Sequence, residues 1–123
     1  MFMSVLRDLE LRHLVALDAV ATEGTFARAA ERLGYTQSAV SQQIAALERA
    51  VGEKVFDRPG GPRAVELTPF GAELLRGGRD LLARVAALAD DLDRFRAGHA
   101  GRLTIGTFQS VSSAVLPMVL GRF

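Results

Sequence analysis

Four hydrogen-bonding side chains, Gln37, Ser38, Ser41 and Gln42, fall within a stretch, residues 33–47, that contains no charged residue. A glutamine amide offers donor and acceptor together and matches the N6/N7 edge of adenine, while serine can reach base edges or phosphates. Thr25 and Thr36 each stand where a helix would begin. The free N–H groups at such a start carry a partial positive charge suited to a phosphate. Farther on, Arg58 and Arg63 bracket Pro59-Gly60-Gly61-Pro62, and arginine on a narrow loop is favoured in the minor groove by its negative potential. Together these residues imply contact with double-stranded DNA. Each has a plainer reading as well. The polar face could be merely solvated, Arg58 and Arg63 could be hydrated or paired with Asp57, and Arg28 could pair with Glu31 instead of reaching a phosphate.

The elements that would hold these side chains follow from apolar spacing. Residues 9–23 put Leu11, Leu14, Leu17 and Ala21 on one side, as an amphipathic helix that Gly24 ends. Thr25 then caps a short helix with Phe26, Ala29, Ala30 and Leu33 inward. Two adjacent alanines there let another helix approach closely. Gly34 marks a reversal, and Thr36 caps a third helix with Val40, Ile44, Leu47 and Val51 inward. A short helix, a glycine turn and a capped helix with a polar outer face make a helix-turn-helix, residues 26–45. Val55-Phe56 and residues 64–67 flank the Pro/Gly loop and read as a small β-hairpin, or wing.

Thr68-Pro69 starts a long helix, residues 69–97. Its apolar positions Leu74, Leu81, Val85, Leu88, Leu92 and Phe95, with Gly78 filling one gap, recur at spacings of 4-3-4-3-4-3. That is the 3.5-residue repeat of a coiled-coil seam, which asks for a second copy of the chain. Residues 97–101 read as a glycine-containing hinge, 102–107 as a strand, and 111–123 as a helix. The expected fold is therefore mainly α: a winged helix-turn-helix over 9–66, a dimerising helix over 67–98, and over 99–123 the truncated β-α start of an α/β domain.

Composition narrows the function classes. The chain has no cysteine, which removes disulfides and thiolate metal sites and suits a reducing cytosol. Neither the start of the chain nor residues 103–121 has the pattern of a signal peptide or membrane span, so a cytoplasmic location and no membrane partner are expected. His13 and His99 have no ligand partners at metal spacing, and no catalytic grouping or phosphate-cradling loop is visible, so neither enzyme activity, metal nor cofactor is expected. Residues 1–68 hold eight Arg or Lys against nine Asp or Glu. Net charge therefore gives no help to a nucleic-acid reading; the distribution of charge has to carry it.

Phe26, Ala29-Ala30, Leu33, the run Gln37-Ser38-Ala39-Val40-Ser41, Ile44 and Leu47-Glu48 closely resemble the helix-turn-helix of LysR-type transcriptional regulators. Val51-Gly52, Phe56-Asp57-Arg58 and Leu67-Thr68-Pro69-x-Gly71 resemble that family's wing and its exit into the linker helix. Residues 101–106 and Leu116-Pro117 resemble the opening of its effector domain. The resemblance implies dimers or tetramers on interrupted palindromes, often activating one promoter and repressing their own. It makes Gln37, Ser38, Ser41 and Gln42 the base and backbone contacts and Arg63 the wing contact, although Gln42 stands where arginine is frequent. Ser110 matches a position that can touch a small-molecule effector, but with only the domain's first strand and helix no pocket is completed. A coiled-coil protein-interaction module that does not bind DNA is the competing reading. The similar winged head of molybdate-responsive regulators is less consistent with the 4-3 helix and the Gly-Arg-Leu-Thr-Ile-Gly that follows it.

Overall fold

The computed structural model describes residues 2–57 and 64–105, without the side chains of Ser4 and residues 99–105. In order the elements are α1 (Phe2–Asp8), α2 (Leu11–Glu23), α3 (Phe26–Leu33), α4 (Gln37–Val51), β1 (Phe56–Asp57), β2 (Glu66–Leu67) and α5 (Pro69–Ile105). The chain divides into two units, residues 1–82 and 83–123.

The first unit is a helical head with one core. Leu14, Leu17, Val20, Val40, Ile44, Leu47, Val55 and Phe56 are its largest fully buried side chains. Ala29 and Ala30 are buried between the helices, as their size suggested, so α3 lies close against α2 and α4. The strands β1 and β2 pair antiparallel, Phe56 opposite Leu67 and Asp57 opposite Glu66. The hairpin expected from the sequence is there, with its first strand shifted by one residue to Phe56–Asp57 and its second shortened to Glu66–Leu67.

Three expectations need correction. Leu11 is 47% exposed, not inward. The buried arc of α2 runs through His13, Leu14, Ala16, Leu17, Ala19 and Val20, which points away from Leu11. Leu74 is partly buried against the head's own core, so the exposed apolar stripe of α5 begins only at Leu81. Finally, α5 continues through the expected hinge at 97–101 and through Arg102 to Ile105, where a strand was anticipated. Two glycines in a helix interior cost about 1 kcal/mol each. That does not stop propagation where no proline intervenes and alanines alternate with the glycines. The short helix α1 was not anticipated at all. Val5, on its inner side, packs against the core, and the helix lies against α4.

His13 is 5% exposed, and its Nδ1 accepts the Glu10 backbone N–H at 3.1 Å. That bond requires an unprotonated Nδ1. Burial holds the pKa of His13 below its ordinary 6.5; Glu10 opposes this, while Arg12 and Arg49 reinforce it. The unfolded chain therefore takes up a proton near pH 6.5 that the folded chain refuses. Stability is complete above that pH and falls as the pH drops below it toward the folded pKa. Urea melts between pH 7.5 and 5.5 check this: the wild type should lose stability across the window and His13→Gln should lose less. Parallel curves would remove His13 as the cause.

Candidate nucleic-acid interface

The two halves of the helix-turn-helix meet at Gly34, whose φ of 73° is left-handed and suits a residue without Cβ. Its N–H donates to the carbonyls of Ala30 and Glu31, and the Tyr35 N–H donates to Ala30 O at 2.9 Å. These bonds close the end of α3 and aim the chain into α4. Thr25 Oγ1 accepts the Arg28 N–H at 3.1 Å, and Thr36 Oγ1 accepts the Ala39 N–H at 3.0 Å. Both threonines are thus helix caps, as read from the sequence, and each hydroxyl proton remains available to an external acceptor.

Val40, Ile44 and Leu47 are each 0% exposed. With that side of α4 fixed inward, Gln37, Ser38, Ser41 and Gln42 are all exposed. The structure therefore brings together on one surface the four side chains singled out by type. Thr36 is exposed beside them and Thr25 half-buried. Tyr35 is 45% exposed in the turn between the helices; it was not chosen from the sequence, where one tyrosine between Gly34 and Thr36 gave no signal of its exposure. Arg32, by contrast, is drawn to Glu23 at 3.5 Å and Asp18 at 3.9 Å. Arg28 makes no ion pair among the described residues, so it retains the option of a phosphate.

The base of the wing is tied to the helices by a small set of bonds. Glu48 Oε2 accepts the Val55 N–H at 2.9 Å. Thr68 donates its N–H to Val55 O at 3.0 Å and its hydroxyl to Lys54 O at 2.8 Å, while Oγ1 accepts the Gly71 N–H at 2.9 Å. Val65 N–H donates to Gly24 O at 3.0 Å, and the rings of Phe26 and Phe56 meet edge to face at 6.2 Å. The strands are therefore held against the start of α3 and the end of α4. Arg58 and Arg63 lie outside the described residues, and so does Ser110.

On α5, Leu81, Val85, Leu88, Leu92 and Phe95 are 40–57% exposed. Five large apolar side chains thus stand exposed at 4-3-4-3 spacing along α5. Arg79, earlier in the same helix, bonds Asp18 at 2.7 Å and Thr22 at 3.2 Å and so fastens the start of α5 to α2. Among the described residues no helix is long and apolar enough to cross a membrane.

Residues 11–72 match the family described as bacterial regulatory helix-turn-helix protein, lysR family. The HTH-type transcriptional regulator IlvR of Caulobacter vibrioides is 40% identical over 115 residues, which cover 94% of this chain and 38% of that protein. An uncharacterized HTH-type transcriptional regulator from the ibpB-leuC intergenic region of Azotobacter vinelandii is 38% identical over 109 residues, covering 89% of this chain and 74% of its own length. Among solved structures, the BenM DBD in complex with benA site 1 DNA superposes with a TM-score of 0.67 at 35% identity. It covers 74% of this chain and 100% of its own. The chain spans well under half the length of several curated relatives that it matches, 38% for IlvR and 34% for a RuBisCO transcriptional regulator of Cyanophora paradoxa.

Proposed function

Because the chain belongs to the lysR family of bacterial regulatory helix-turn-helix proteins, we propose that it is a sequence-specific DNA-binding transcriptional regulator, active in the cytoplasm as a homodimer on an interrupted palindrome. One observation carries the reading: Gln37, Ser38, Ser41 and Gln42 are exposed together on an uncharged helix whose opposite side is locked into the core. Helix α4 enters the major groove and reads base edges, and the caps Thr25 and Thr36 offer hydroxyls and helix N-termini to phosphates. The wing carries Arg58 and Arg63 to the backbone or the adjacent minor groove. Residues 9–66 are the DNA-binding head, 67–98 the dimerising helix, and 99–123 the start of a domain through which a small-molecule effector acts, with Ser110 at its site. The superposition on a DNA-bound head supports this reading.

Gln37→Ala or Ser41→Ala should each weaken binding to the operator by about 1–3 kcal/mol for a lost base contact, or roughly 5- to 150-fold in Kd. Fluorescence anisotropy on operator and scrambled duplexes measures it. Equal affinity for the two duplexes would count against specific readout, and binding to neither would leave the protein-interaction reading in its place. With eight basic against nine acidic residues over 1–68, few phosphates are neutralised, and the salt dependence per subunit should be shallow.

A further inference from the structure

Along α4 the exposed arc runs from Gln37 through Ser41 and Ser38 to Gln42, about 140° wide at roughly 100° per residue. The middle of the arc holds only small side chains: Ser38, Ser41 and the half-buried Ala45. A helix with so little bulk at its centre can bring its backbone close to the floor of the major groove. Gln37 and Gln42 then stand at opposite edges of that arc. Neither glutamine is committed to a partner among the described residues. They lie five positions apart, about 7.5 Å along the helix axis, or about two base-pair steps of 3.4 Å.

Resting on the DNA-binding reading above, we infer that Gln42 is a specificity-determining residue that reads an adenine, on the strand opposite the adenine read by Gln37 and about two base pairs from it. The chemistry is that of the amide. Its oxygen accepts from adenine N6 while its nitrogen donates to N7, whereas guanine presents two acceptors there and repels the oxygen. An arginine at this position would carry donors only and select guanine. Glutamine at position 42 therefore sets the identity of a base pair as well as removing a charge from the interface.

Selection of the purified chain on duplexes with a randomised half-site tests this. The wild type should enrich adenine at two positions on opposite strands. Gln42→Ala should lose roughly 5- to 150-fold of preference at one of them and keep the other. Gln42→Arg should move that same position to guanine, and Gln37→Ala should affect only the second adenine. Because Gln42 is exposed, thermal melts of both variants should match the wild type. If the wild type is selective but Gln42→Ala leaves every preference in place, or changes a position that is not adenine, this inference is overturned and the DNA-binding function stands. A wild-type profile with no enrichment anywhere overturns both.

Discussion

Gly71→Ala is expected to cost the head about 3 kcal/mol or more, at or above the top of the usual range for overpacking. A Cβ placed on Gly71 would stand 2.1 Å from the carbonyl oxygen of Val55 and 2.9 Å from its carbonyl carbon. Real carbon–oxygen contacts do not come that close, and the obstacle is backbone, which cannot rotate away as a side chain can. The carbonyl is also pinned, since it accepts the Thr68 N–H at 3.0 Å while Glu48 holds the Val55 N–H. Relief would require α5 to lift from the wing and the Thr68 cap to break with it. For a head of this size the loss corresponds to a fall in Tm of roughly 12 °C or more. Gly77→Ala, six residues along the same helix, is the control. A Cβ there meets nothing within 4 Å, so alanine's helix propensity should raise stability by about 1 kcal/mol. Calorimetric melts of the two variants should move in opposite directions. A Gly71→Ala protein that melts with the wild type would mean that α5 does not sit on Val55 as described.

Gly71 also shows where sequence reading stops. Thr68-Pro69 located the start of α5 because capping chemistry is local: a hydroxyl, then a proline whose missing N–H costs nothing. The need for a glycine at 71 is not local, because Val55 lies sixteen residues away in sequence and only folding brings its carbonyl against α5. The same division holds across the molecule. The face of α4 was legible because Val40, Ile44, Leu47 and Val51 repeat at helical spacing and leave Gln37, Ser38, Ser41 and Gln42 outside by default. The misplaced residues sit where another element decides. Leu11 has the right phase for an apolar stripe but lies beyond the arc that the other helices cover. Leu74 fits the heptad, yet the head's core claims it first. The end of α5 was misjudged because glycines mark a possible break, while an actual break needs a competing structure. The role of Glu48 as an anchor for Val55, seven residues on, and that of Asp18 for Arg79, sixty-one residues on, are pairings with no periodic signature.

Leu88→Asp is the substitution expected to act most strongly on the proposed function while leaving the head untouched. Leu88 is 57% exposed, the most exposed of the five apolar residues along α5, and stands at their centre. If the stripe closes on its copy, this position lies in the middle of the seam and an aspartate there would be buried without a partner in both subunits. Burying an unpaired carboxylate costs several kcal/mol, more than one heptad layer contributes, so the dimer should dissociate. The consequence for DNA is larger than the loss of any base contact. Two linked heads convert the second binding event into an intramolecular one, which is worth about 10²- to 10⁴-fold in affinity when the half-site spacing fits. Operator affinity should fall by that factor, while affinity for an isolated half-site stays at the wild-type value because Gln37, Ser38, Ser41 and Gln42 are unaffected. Sedimentation equilibrium reads the first effect, and anisotropy on full and half operators reads the second. Helical content of the head by circular dichroism separates dissociation from unfolding. A Leu88→Asp chain that still sediments as a dimer would move the interface off this stripe. A monomer that binds the full operator as tightly as the wild type would show that recognition does not depend on presenting the helix twice.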